Sequence, residues 1–333
     1  MLLVFFLYNS NLILSKSIGR SYTRITDKDN SKLYIKRLPN IPTQTGSCYE
    51  MRKEKHRHST KFCYPALLIA GVAKSGTSAM YEFLKHQDGI HVGHPTYKEY
   101  CLGTTTYYKY LSQFPHKPAL HGEFYINGCV FTSMNAELHA LLQPQSIYIL
   151  MVRDLADRMW AAYNFWCNPV VDSNCTDTWV HRGMYRSPSD FHETLMKANS
   201  DLSVMNFKWN CSWLDHVYTD AIETMYNVTL QQPLVVASEL LMKHDNQHSI
   251  YRIQEYINQN LHVNCNLDRK YLHYFNTGGA VGPGAVAGEL SSGLYNISNY
   301  KPLLSKTREY IYSCWKTCAD ISTAAQYNYT CKH

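Results

Sequence analysis

An α/β fold, a parallel β-sheet flanked by helices on both faces, is predicted by three short apolar runs. Each is followed at once by a polar turn and then by helical spacing. The first run, Ala66-Leu67-Leu68-Ile69-Ala70, ends at Gly71 and reads as a strand buried on both sides. Behind it Met80, Phe83 and Leu84 fall at i, i+3 and i+4, which predicts a helix over 77–86. The second run covers 146–152 and stops at Arg153-Asp154, with Leu155, Met159, Ala162 and Tyr163 marking the helix beyond. The third covers 233–237 and passes into the helix-starting pair Ser238-Glu239. A repeated strand–turn–helix order requires crossover connections, and these build parallel sheets.

Length and composition agree with this class. The chain has 333 residues, enough for a large buried core. Charged residues make up 17%, below the roughly 25% usual in soluble domains, which excludes a disordered, acidic or coiled-coil protein. The net charge is +6, the pI about 8.6 and the longest basic run Arg52-Lys53-Glu54-Lys55-His56-Arg57-His58, so the balance suits a small anionic ligand better than nucleic acid.

The first fifteen residues read as a signal or signal-anchor segment, with a disordered start as the alternative. Residues 1–8 are wholly apolar, Asn9-Ser10-Asn11 interrupts, Leu12-Ile13-Leu14 resumes, and no charge precedes Lys16. Residues 16–62 are polar, broken by Pro39 and Pro42 and without sustained period, and read as a stem. The folded domain is expected over 63–333.

Eleven cysteines occur with no C-x-x-C pair, which argues against a zinc ribbon, and no metal is expected. Cys314 and Cys318 share a helical face, but no second ligand pair is nearby. Five N-x-S/T sequons, at Asn174, Asn210, Asn227, Asn296 and Asn328, join the cysteines in pointing to an oxidising, secretory compartment. Cys167 and Cys175 bracket one sequon and could be bridged, although spacing alone leaves connectivity open.

The chemistry concentrates in Gly71-Val72-Ala73-Lys74-Ser75-Gly76-Thr77-Ser78. A loop between a buried strand and a helix exposes unpaired N–H groups and the positive end of the helix dipole to an anion. Gly71 and Gly76 allow close backbone approach, Ser75, Thr77 and Ser78 offer hydroxyls, and Lys74 supplies a charge. The arrangement is P-loop-like without being a Walker A motif, because the lysine precedes the second glycine. A plain glycine turn with an exposed lysine is the alternative.

This loop resembles the phosphosulfate loop of sulfotransferases that use 3′-phosphoadenosine 5′-phosphosulfate (PAPS), in particular the Golgi carbohydrate branch of heparan and chondroitin type. The resemblance extends over roughly 64–315. It includes Arg153-Asp154-Leu155-Ala156-Asp157-Arg158, with Tyr163 behind it, as the 3′-phosphate motif. It implies the sulfotransferase fold, PAPS as donor, a carbohydrate hydroxyl as acceptor (N-acetylgalactosamine in a chondroitin-type glycan being one choice), and a single-pass type II protein of the Golgi lumen. Gly71, Lys74, Ser75, Gly76, Thr77, Ser78 and Arg153 would then hold the donor, with Lys74 stabilising the moving group. Lys98-Glu99 resembles the family's Lys-Glu motif, whose glutamate is the general base.

Other readings of these residues stay open. Lys98 and Glu99 could be a solvated pair, and His94 is a rival base because histidine titrates near neutrality. Glu123 could orient the acceptor or Lys98, or mark the exposed end of a strand. Trp160, Trp166 and Trp209 could stack on sugar or fill the core.

Departures from the family pattern are specific. Leu155 stands where it has proline, and Ala161 where a serine helps hold the 3′-phosphate. The late lysine–glycine–arginine loop is missing unless the glycine-rich stretch 278–284 replaces it; that stretch reads equally as a lid or a linker. A catalytically inactive nucleotide- or glycan-binding homologue is therefore one alternative. A P-loop kinase is another, disfavoured by the position of the lysine.

Overall fold

The computed structural model describes residues 13–15, 23–26, 32–38, 48–54, 58–71, 74–93, 107–115, 123–130, 145–166, 187–198, 225–227, 232–242, 247–272 and 302–314. These form two five-stranded sheets.

The C-terminal sheet is parallel and has the order β10-β9-β6-β8-β7. Its strands are β6 (Leu67–Gly71), β7 (Ile90–Val92), β8 (Phe124–Val130), β9 (Ile147–Val152) and β10 (Leu234–Ala237). Every residue of β6 and β9 is buried. Alternation sends Leu67, Ile69, Ile147, Ile149 and Met151 to one face. There they meet Met80, Phe83 and Leu84 of α1 (Thr77–Lys85) and Ile250, Ile253 and Ile257 of α6 (Gln247–Leu261). Leu68, Ala70, Tyr148 and Leu150 point to the other face, toward Met225. Beyond them Val152 joins a cluster from α3 (Leu155–Trp166), α4 (Pro188–Ala198) and α7 (Ser305–Cys314). Helices thus cover both faces, as the apolar runs predict. The three expected strands are the adjacent trio β6, β9 and β10, and each buried Val, Leu or Ile side chain contributes about 1.5–3 kcal/mol.

The path of the chain matters for function. It lays β6 in the centre, places β7 at one edge and β8 between the two, then crosses to β9 and β10 on the other side. The direction of winding therefore reverses between β6 and β9, and open parallel sheets bind ligands beside such a reversal, at the carboxyl ends of the strands.

The N-terminal sheet corrects one expectation. The region read as an aperiodic stem carries β2 (Thr23–Thr26), β3 (Lys32–Arg37), β4 (Cys48–Lys53) and most of β5 (Thr60–Cys63), while β1 (Ile13–Ser15) falls at the end of the expected anchor segment. All five pair antiparallel in sequence order. In β3 Leu33 and Ile35 are buried, while Lys32, Tyr34 and Lys36 are partly exposed. This is the alternation of a strand with one wet face, diluted by long polar side chains. The buried face packs on α2 (Tyr107–Leu111) through Tyr107, Tyr110 and Leu111, and on Phe114 just beyond it.

Cys48 and Cys63 are direct cross-strand partners and form a disulfide, a pairing that spacing did not announce. The expected pairing of Cys167 with Cys175 lies outside the described residues, as do residues 1–12 and the glycine-rich stretch. Among the described residues no helix is long and apolar enough to cross a membrane.

Candidate functional site

Three strand-to-helix turns meet at the carboxyl edge of β6, β9 and β10. In the first, Gly71 closes β6. A Cβ there would approach the Met151 carbonyl oxygen to 2.6 Å, so the close passage of β6 against β9 admits only glycine. Lys74 has φ 70°, a left-handed conformation that a non-glycine residue adopts only when its surroundings hold it there. Ser75 is fully buried and Thr77 nearly so.

Gly76, with φ 90°, is the N-cap of α1, and no side chain caps the helix. The first-turn N–H groups of a helix have no intrahelical acceptor, and no acidic residue occupies that turn. The positive end of α1 is therefore not neutralised from within the helix.

The second turn is Arg153-Asp154. Asp154 caps α3 by accepting the Asp157 N–H at 2.9 Å. Arg308 of α7 donates to Asp154 Oδ1 and Asp157 Oδ1, both at 2.5 Å, and the Tyr312 hydroxyl donates to Asp154 Oδ2. Burial works against the Arg308 charge, but its hydrogen bond with Tyr312 and the two carboxylates hold the guanidinium above its ordinary value. Asp154 is thus committed to structure, and Arg308 with it. Arg158, one turn on, is fully buried.

The third turn, at the start of α5 (Ser238–Met242), ties the other two together. Glu239 Oε1 accepts the Asp154 N–H at 2.9 Å and stands 3.9 Å from Arg153 Nε. Ser238 packs against the glycine cap, because a Cβ on Gly76 would come within 3.0 Å of Ser238 Cβ. Burial pushes the Glu239 carboxyl up; its hydrogen bonds and the Arg153 charge oppose this.

Gly71, Lys74, Ser75, Gly76, Thr77, Ser78 and Arg153 therefore share one edge of the sheet, on the two strands that flank the reversal. Glu123 does not join them. It precedes β8 and contacts His91 of β7. Val130, at the far end of β8, is level with Gly71, so the seven-residue strand separates Glu123 from that level by about 23 Å. Glu123 is half-buried just before β8, paired with His91. Lys98, Glu99 and His94 lie outside the described residues, as does Trp209.

Trp160 is buried against Tyr163 and Phe191 and belongs to the core, not to a sugar platform. Ser238, Glu239 and Arg308 are the site residues that sequence reasoning missed. Only the first two carried a signal, their place directly after the third apolar run. Among the described residues no group of three or more His, Cys, Asp or Glu could hold a metal ion.

No family model matches the chain, and no curated protein matches it. Solved structures do resemble it. A sulfotransferase from Alicyclobacillus acidocaldarius is 15% identical, with 80% of this chain and 98% of that chain covered, at a TM-score of 0.46. The mouse sulfotransferase SULT7A1, solved as a complex with PAP, is 16% identical, with 79% and 88% covered, at a TM-score of 0.45.

Proposed function

We propose that the chain is a PAPS-dependent sulfotransferase acting on a carbohydrate hydroxyl. The observation that carries this reading is the edge shared by β6 and β9. An uncapped helix N-terminus with a left-handed lysine stands beside a second turn bearing Arg153, at the point where the sheet reverses direction. Two adjacent anion-attracting turns fit a ligand with two separate anionic groups, as a 3′-phosphorylated nucleotide phosphosulfate has. The ligand fits what the chain offers: the N-terminus of α1, with no side-chain cap and no acidic residue in its first turn, and the charges of Lys74 and Arg153.

In the proposed step the acceptor oxygen attacks sulfur, the bond from sulfur to the bridging phosphate oxygen breaks, and adenosine 3′,5′-bisphosphate leaves. The acceptor proton passes to a base, Glu99 or His94. By analogy with phosphoryl transfer the transition state is loose, so positioning and charge stabilisation dominate. Lys74 stabilises the charge developing on the bridging oxygen, and the α1 N–H groups hold the phosphate. The acceptor is read as a glycan, with N-acetylgalactosamine of a chondroitin-type chain the first to try.

A Golgi lumenal location with an N-terminal anchor belongs to the same proposal. The Cys48–Cys63 disulfide and an exposed Asn227 sequon support an oxidising, glycosylating compartment. A specific observation favours a second reading: Ala161 lies buried in α3 where the family has a phosphate-binding serine, as a nucleotide-binding homologue without turnover would allow.

Calorimetry with adenosine 3′,5′-bisphosphate, followed by labelled-sulfate transfer from PAPS across a glycosaminoglycan panel, tests both. Absence of binding overturns the sulfotransferase reading, and binding without transfer selects the inactive homologue. In an active protein Lys74→Ala should lower kcat by about 100- to 1,000-fold with an unchanged circular dichroism spectrum.

A further inference from the structure

The turn from β10 into α5 holds two buried polar atoms without a hydrogen-bond partner among the described residues. Ser238 is fully buried, and its Oγ has no hydrogen-bond partner; Glu239 Oε2 is likewise buried and without one. Buried hydroxyls are nearly always paired, so an unpaired one at the mouth of a ligand site marks a group that the ligand completes.

Its placement says what kind of ligand. A Cβ built on Gly76 would lie 3.7 Å from Ser238 Oγ, so the hydroxyl stands beside the N-cap of the nine-residue helix α1. That helix start has no side-chain cap and no acidic residue in its first turn. One residue on, Glu239 takes the Asp154 N–H with Oε1 and faces Arg153. The turn therefore lies between the lysine loop and the arginine turn, touching both. A hydroxyl can donate to an anion, and a hydrogen bond to a charged acceptor is the stronger kind.

We propose that Ser238 is a ligand-binding residue whose hydroxyl donates to a tetrahedral oxyanion, phosphate or sulfate, seated on the N-terminus of α1. The inference rests on the sulfotransferase reading, in which that oxyanion is the phosphosulfate end of the donor. It adds a contact from the turn at the start of α5 to those of the lysine loop and the arginine turn. Glu239 acts beside it as a positioning residue, holding the backbone of the Arg153 turn.

The test compares the full chain with Ser238→Ala and Ser238→Cys by calorimetry with adenosine 3′,5′-bisphosphate, and by thermal unfolding without ligand. Loss of a hydrogen bond to a charged group should weaken binding about 10- to 100-fold. Without ligand, Ser238→Ala should unfold at the same or a higher temperature, because it removes an unpaired buried hydroxyl. Undiminished binding in both variants overturns the proposal. So does weakening that merely follows a drop in unfolding temperature, the mark of a structural role. Should Ser238→Ala fail to fold, Ser238→Cys, nearly the same in shape, decides. If the unaltered chain does not bind the nucleotide, the sulfotransferase reading fails, and the comparison is repeated with pyrophosphate and inorganic sulfate. Weaker binding of these in the variants then sustains the Ser238 site alone, and equal or absent binding overturns it.

Discussion

In β9 all six residues are buried, whereas β4 buries Cys48 and Met51 and leaves Arg52 exposed. The two strands represent two sheets that obtain stability differently. The parallel sheet is covered on both faces and can keep polar atoms unmatched at its carboxyl edge, where Ser238 Oγ and Glu239 Oε2 are buried without partners. The antiparallel sheet has one wet face. Arg52 there lies over the Tyr34 ring at 5.7 Å, and Lys32 pairs with Glu54 at 3.3 Å. Exposed pairs of this kind contribute little, and a covalent bond joins β4 to β5. The difference is one of packing: the proposed site lies at the edge of the doubly covered sheet, while the one-sided sheet carries the Cys48–Cys63 bond.

The sharpest way to break the comparison is Gly71→Ala. A methyl group meeting the Met151 carbonyl at 2.6 Å must force β6 from β9 at the edge where the site is built. A loss of about 3–4 kcal/mol is expected, read from denaturant unfolding. A neutral effect would show that the edge is not rigid and that its unmatched groups are not held in place.

Removing the disulfide comes next. Cys48 and Cys63 close a loop of sequence separation 15, and opening it should cost about 3 kcal/mol. The loss should fall on the N-terminal sheet, so a doubly substituted Cys48→Ala, Cys63→Ala chain that still folds should bind adenosine 3′,5′-bisphosphate as before. Lost binding would join the two sheets into one functional unit.

The smallest effect concerns pH. Burial, chiefly, raises the Glu239 carboxyl above its ordinary value. The folded state therefore holds this proton more tightly than the unfolded state, so the stability it contributes is present at low pH and declines as pH rises through the folded value. Glu239→Gln, which keeps an oxygen for the Asp154 N–H, should remove that decline and flatten the stability profile above the usual carboxylate range. A profile that does not change would mean that Glu239 is solvated in solution.

Legibility in the sequence followed burial. β6, β9 and β10 were readable because burial on both faces writes a strand as an uninterrupted apolar run. β3 was read as stem because Lys32, Tyr34 and Lys36 alternate with only two apolar residues, and β4 because its two buried residues, Cys48 and Met51, do not alternate. β8 escaped because Asn127 and Gly128 interrupt it, though Asn127 is buried. Of the site, the lysine loop and Arg153 were visible as local chemistry. Glu123 was not placeable, because residue type alone does not say at which end of a strand a carboxylate stands.

The sequence by itself determined the strand–turn–helix units and the glycine–lysine–serine–glycine loop, since backbone freedom, hydroxyls and charge within eight consecutive residues are local properties. Only the tertiary structure decided that Ser238 would lie against Gly76, that Arg308 would clamp Asp154 and Asp157, and that Cys48 would meet Cys63. Those pairings follow from strand order and register. Both are set by the packing of whole faces, and no short segment carries them.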